Sequence, residues 1–135
     1  MVEKLLGSLS DKRVAVLGLA FKKDTDHIRE AASLRVINQL KKKSAKVVAY
    51  DPMAVPNTKR QLAHQIEYAE NPHSALKGAD GAIIMTEWDL FRKIKPHDFQ
   101  SHMKSPSVVD ARRIYDPEEV RELNYVAIGL GPVRR

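Results

Sequence analysis

Cysteine is absent from all 135 residues. That excludes disulfides, thiolate metal sites and a cysteine nucleophile. Glycine is scarce, with six in the chain, and a single one, Gly18, follows the first apolar run. The set of glycines that lets a backbone close on a pyrophosphate is missing, so the dinucleotide fingerprint is not met. No apolar run approaches the roughly 20 residues of a membrane span. Met1 to Ser8 lack the apolar centre and small-residue cleavage site of a signal peptide, so the cytoplasm is the expected compartment. No GxSxG occurs, and His27, His64, His73, His97 and His102 never fall at HExxH spacing. Each histidine reads as a surface or capping residue rather than a ligand.

What is present is an ordinary globular composition, 43% hydrophobic and 30% charged, at the length of one domain. The net charge of +6 suits a phosphate-bearing ligand, a nucleic acid, or no particular partner. Its one dense run, Lys41-Lys42-Lys43, closes a predicted helix, where cations complement the helix dipole. Aromatics do not interleave with basic residues as base stacking would require, so nucleic acid is not an expected partner.

Met1 to Lys12 is a lead-in, read as the tail of a helix from something upstream. The apolar run Arg13 to Leu17 predicts the first strand. Glu30 to Lys43 carries Ala31, Leu34, Ile37 and Leu40 on one stripe and predicts the first long helix. Lys46 to Tyr50 predicts the second strand, closed by Asp51-Pro52. Asn57 to Gln65 predicts a helix capped by Asn57 or Thr58, and Ile66 to Ala69 a short strand. Asn71-Pro72-His73-Ser74 opens a short helix through Leu76. Gly81 to Met85 is a third buried strand. Trp88 to Ile94 and Pro96 to Met103 are short helical pieces, and Ser107 to Val109 is a strand ending at Asp110. Asp116-Pro117-Glu118-Glu119 is expected to start a last helix, and Tyr125 to Ile128 a last strand.

Strands and helices alternate, and the strands are apolar throughout rather than alternating. This predicts an α/β, Rossmann-like doubly wound fold, with a mainly parallel sheet covered by helices on both faces. Ligands of such sheets sit beyond the carboxyl ends of the strands. Those ends are Gly18 to Lys23, Asp51, Thr86 to Trp88 and Asp110 to Arg113. Asp51 has two readings, a ribose-binding acid or a turn residue before proline. Lys22, Lys23 and Arg29 form a cationic loop that suits phosphate oxygens or, alternatively, a salt-bridged surface. Arg112 and Arg113 lie at the same edge. Trp88 is either a rim aromatic or part of the core.

The run Val14-Ala15-Val16-Leu17-Gly18-Leu19-Ala20-Phe21-Lys22, followed by Asp24-Thr25-Asp26 and Ile28-Arg29-Glu30, resembles the opening of the C-terminal, UDP-binding domain of the UDP-glucose/GDP-mannose dehydrogenases. The similarity continues through Tyr50-Asp51-Pro52, Ala79-Asp80-Gly81-Ala82, Thr86-Glu87-Trp88 and Val109-Asp110-Ala111-Arg112, in family order. It assigns residues 1–12 to a lead-in, 13–130 to a UDP-sugar-binding domain and 131–135 to a tail.

The resemblance implies a nucleotide-sugar-binding part of an NAD-dependent, cytoplasmic enzyme of polysaccharide biosynthesis, of the UDP-glucose 6-dehydrogenase type, which oxidises UDP-glucose to UDP-glucuronate. By position it implies that Phe21 and Lys22 contact the nucleotide sugar. Arg112 lies near it across a subunit interface of a homo-oligomer. Arg29 reaches NAD held by an N-terminal domain.

The departures are definite. The family's catalytic cysteine, its glycine-rich NAD fingerprint and its central domain are not in this sequence, so no catalytic residue is assigned. The chain is expected to be an isolated domain, a truncated product or a subunit that meets the missing parts. The other readings are a stand-alone nucleotide-binding or regulatory module and a small basic nucleic-acid-binding protein. Ser44-Ala45 replaces the glycine that commonly ends the first helix. Ala31 replaces a serine after Glu30, which is expected to remove a hydrogen bond near the cofactor.

Overall fold

Short apolar segments set the architecture. In the computed structural model, which describes residues 9–19, 32–62, 66–116 and 118–127, they form a six-stranded parallel sheet. In chain order the elements are β1 (Arg13–Leu17), α1 (Ala32–Lys42), β2 (Lys46–Tyr50), α2 (Val55–Leu62), β3 (Glu67–Tyr68) and α3 (Pro72–Leu76). Then follow β4 (Gly81–Ile84), α4 (Asp89–Arg92), α5 (Pro96–His102), β5 (Ser107–Asp110) and β6 (Asn124–Ala127). The strand order is β3-β2-β1-β4-β5-β6. β1 is central, with Val14 opposite Val47 on one side and Gly81 on the other. The order reverses between β1 and β4, where a doubly wound sheet opens its crevice.

Because successive residues of a strand point to opposite faces, β1 feeds two cores. Ala15 and Leu17 pack with Leu76, Phe91, Phe99 and Met103 beneath α3, α4 and α5. Val14 and Val16 pack with Ile37 and Leu40 of α1. Phe91 and Phe99 are fully buried, and truncating such a ring to alanine costs about 3–5 kcal/mol.

The end of α1 shows how a residue other than glycine can stop a helix. Ser44 takes φ +65°. Its N–H donates to the Lys41 carbonyl and the Ala45 N–H to the Leu40 carbonyl, both at 3.0 Å. This pair of bonds satisfies the last carbonyls and normally recruits glycine.

Two expected elements differ. α2 begins at Val55, so neither Asn57 nor Thr58 caps it; Thr58 lies inside the helix, its hydroxyl donating to the Ala54 carbonyl. The turn starts earlier because Asp51 Oδ1 accepts from the Met53 and Ala54 N–H groups. The last expected helix does not form: residues 118–122 are turns. Glu119 N–H and Leu123 N–H bond three residues back, to Asp116 and Val120, and Asn124 is already held to Pro106 as the chain enters β6. The remaining bounds agree to within about two residues, the ordinary spread of element ends.

Candidate functional site: the carboxyl edge of the sheet

At the crevice position β1 ends in Gly18, with φ +104° and its N–H bonded to the Tyr50 carbonyl at 2.8 Å. A Cβ at Gly18 would stand 2.5 Å from Thr86 Oγ1 and 2.6 Å from the Thr86 backbone nitrogen. The close approach that glycine permits is therefore used by Thr86, itself fully buried at the end of β4.

Asp51 lies beside it, 2% exposed. Its Oδ2 accepts from Leu19 N–H at 2.8 Å and from the Trp88 indole Nε1–H at 3.1 Å. Its Oδ1 accepts from Met53 and Ala54 N–H, each at 2.8 Å. One carboxylate thus joins the ends of β1, β2 and β4 to the start of α2. This supports the turn reading of Asp51 over the ribose-acid reading. It also settles Trp88 as a core residue, 8% exposed and tied down by its indole nitrogen.

Asp110 repeats the device at the end of β5. Its Oδ1 accepts from Arg112 N–H, and its Oδ2 from Ile114 N–H (2.8 Å), Tyr115 N–H (3.2 Å) and the Tyr125 hydroxyl (2.7 Å). Tyr125 is pushed above the usual tyrosine range, first by burial and then by its bond to Asp110. Tyr115 is pushed up too, chiefly by burial, and its hydroxyl donates to the Phe91 and Ile94 carbonyls.

This folding of the β5 end aims Arg112 back across β4. Its Nε donates to the Met85 carbonyl at 3.0 Å and lies 3.8 Å from Glu87 Oε1. The side chain is part-buried, whereas Arg113 is exposed at φ +54°. The two arginines therefore share an edge but not an environment. Of the residues expected to bind ligand, Arg112 stands at this edge; Phe21, Lys22 and Arg29 lie outside the described residues, as do Lys23, Asp24, Asp26, His27 and His64.

The rings of His73 and His102 lie tilted against each other, 5.0 Å between centroids, with His73 Nε2 3.8 Å from Asp98 Oδ1. The Gly78 N–H bonds the His102 carbonyl, so this pair sits by the turn entering β4, at the amino end of the sheet. Among the described residues no group of three His, Cys, Asp or Glu is placed to hold a metal ion. No helix there is long and apolar enough to cross a membrane.

Residue-type reasoning did not single out Thr86, Glu87 or Asp110. The signal was positional, carried by the strand ends Thr86 to Trp88 and Asp110 to Arg113: Thr86 and Glu87 come within three residues of β4, and Asp110 closes β5.

The strand order, the reversal between β1 and β4, and a polar edge at the carboxyl ends define a Rossmann-like domain built to present a strand-end ligand site. Residues 15–117 match the UDP-glucose/GDP-mannose dehydrogenase family, UDP binding domain, and the chain belongs to that family. It is 33% identical to UDP-glucose 6-dehydrogenase TuaD of Bacillus subtilis over 97% of this chain and 29% of that protein. With UDP-glucose 6-dehydrogenase of Rhizobium meliloti it shares 37% identity over 91% of this chain and 28% of that protein. The solved UDP-glucose dehydrogenase of Pyrobaculum islandicum superposes with a TM-score of 0.78 at 31% identity, covering 94% of this chain and 27% of that one. The chain thus spans less than a third of the length of these relatives, corresponding to their UDP-binding C-terminal domain.

Proposed function

We propose that this chain supplies the nucleotide-sugar wall of an NAD-dependent UDP-glucose 6-dehydrogenase, cytoplasmic and serving polysaccharide biosynthesis. Residues 13–130 form that wall, and N-terminal NAD-binding and central domains complete it within a homo-oligomer. The observation that carries this reading is the identity shared with UDP-glucose 6-dehydrogenases over more than nine-tenths of the chain. Arg112 supports it: its guanidinium, oriented at Nε by the Met85 carbonyl, stands at the carboxyl edge of the sheet, and a planar fork is matched to phosphate oxygens. In this reading Phe21, Lys22 and Arg112 contact the UDP-sugar and Arg29 reaches NAD.

The described residues do not make a dinucleotide cradle of their own. Thr86 fills the space beside Gly18, and four N–H groups engage the Asp51 carboxylate. NAD is therefore assigned mainly to a domain outside this sequence. When bound there it supplies the oxidant. This chain binds, orients and excludes water.

Calorimetric titration with UDP-glucose, UDP and NAD separately tests the assignment. UDP-glucose and UDP are expected to bind, and NAD alone is not. Silence towards UDP-glucose at millimolar concentration would sink a self-sufficient site on this chain. Tight NAD binding would overturn the division between domains, and salt-sensitive DNA binding would favour the nucleic-acid reading.

A further inference from the structure

Glu87 is held at the crevice between two anchored neighbours. Thr86, before it, packs on Gly18, and Trp88, after it, is fastened to Asp51. The backbone at Glu87 is thus fixed by burial on both sides. Its Oε1 is buried, yet has no hydrogen-bond partner among the described residues. The nearby Arg112 Nε does not satisfy it: that N–H is directed to the Met85 carbonyl at 3.0 Å, and the 3.8 Å approach to Glu87 is an ion pair, not a hydrogen bond.

A buried acceptor without a donor is costly, and native folds rarely keep one without a role. An anionic acceptor beside a cation suits a ligand that carries a hydroxyl close to a phosphate. It disfavours a bare anion, whose charge it repels.

We propose that Glu87 is a ligand-binding residue that accepts a hydroxyl of the nucleotide sugar next to the phosphate met by Arg112. This rests on the nucleotide-sugar reading above and adds a residue that discriminates a polyhydroxy phosphate ester from phosphate itself.

The test uses the full 135-residue chain, titrated at millimolar ligand with UDP-glucose, UDP and pyrophosphate and followed by ligand-observed NMR. Glu87→Ala is expected to weaken UDP-glucose roughly tenfold, the loss of one hydrogen bond to a charged group. Glu87→Gln, which keeps a carbonyl acceptor, is expected to weaken it less. Pyrophosphate should hold its affinity or bind more tightly in both variants, because a repelling charge has gone. If UDP weakens with UDP-glucose, the hydroxyl is on the ribose; if UDP is unmoved, it is on the hexose.

Parallel weakening of pyrophosphate and UDP-glucose would show that Glu87 acts only by holding Arg112, and would overturn the proposal. So would unchanged UDP-glucose binding in Glu87→Ala. Arg112→Gln separates the two levels. If the wild-type chain binds and Arg112→Gln loses both ligands while the Glu87 variants bind normally, the nucleotide-sugar reading stands and this proposal alone fails. If the wild-type chain binds none of the three ligands, the self-sufficient site on this chain and the proposal for Glu87 both fall. Emission from Trp88, the single tryptophan, reports that each variant keeps the surrounding fold.

Discussion

Gly18 and Thr86 occupy adjoining space so completely that a single added carbon on Gly18 would stand within 2.6 Å of both the side chain and the backbone of Thr86. Gly18→Ala therefore meets a steric clash and an unfavourable φ of +104° together. The expected loss is about 3 kcal/mol or more, read by urea denaturation. Thr86→Ala in the same chain should restore only part, since the contact with the Thr86 nitrogen remains. Full recovery in the double variant would contradict this account.

Asp51 carries a different kind of sensitivity, since four N–H donors depend on one buried carboxylate. Asp51→Ala leaves them without that acceptor and is expected to cost about 3 kcal/mol. Trp88 should lose its indole partner, and its fluorescence should shift to the red in the still-folded fraction. An unmoved emission maximum would mean that the indole is held by packing alone.

Alkaline pH should unfold the protein through its tyrosines. Tyr50, Tyr68, Tyr115 and Tyr125 are all raised above 10.0, with burial the leading cause in each. A raised folded value means that the native state keeps its protons where the unfolded chain has released them. Stability is then undiminished below pH 10 and falls as pH climbs towards the folded values. Thermal melts from pH 8 to pH 11 should show a flat region and then a decline. Tyr125→Phe should shallow the decline, because its hydroxyl bond to Asp110 is then gone at every pH.

Ser44 offers a substitution in the stabilising direction. Its φ of +65° costs a side chain energy that glycine does not incur, while the two capping bonds use only the backbone. Ser44→Gly is expected to add roughly 0.5–1 kcal/mol, after the extra freedom of glycine in the unfolded chain is subtracted. A rise in melting temperature without a change in ligand binding would confirm it.

The strands were legible because parallel strands buried on both faces are written as unbroken apolar runs; Val14 to Leu17 and Gly81 to Ile84 show this directly. The short helix at Pro72 was legible from its cap, since Asn71 Oδ1 does accept from Ser74 N–H. The start of α2 was not, because the group that turns the chain there is Asp51, several residues earlier and outside the helical pattern. The roles of Asp51 and Asp110 depend on donors gathered from distant segments, such as Leu19, Trp88 and Tyr125, which no local pattern records. Glu87 was legible only as part of the strand end Thr86 to Trp88, without a role of its own. Its interest comes from an oxygen without a donor, a property of the packed edge. The family was legible from motif order, and the family match then confirmed it.

The two buried aspartates have a consequence for assembly. Because Asp51 and Asp110 already hold the described strand ends through internal bonds, those ends need little further ordering when another domain or subunit docks against them. The entropy that a loose rim would surrender on association is settled during folding instead. If the proposed assembly forms, the ends held by Asp51 and Asp110 meet it already ordered, so differences in affinity at those two ends should arise from side-chain replacements along them.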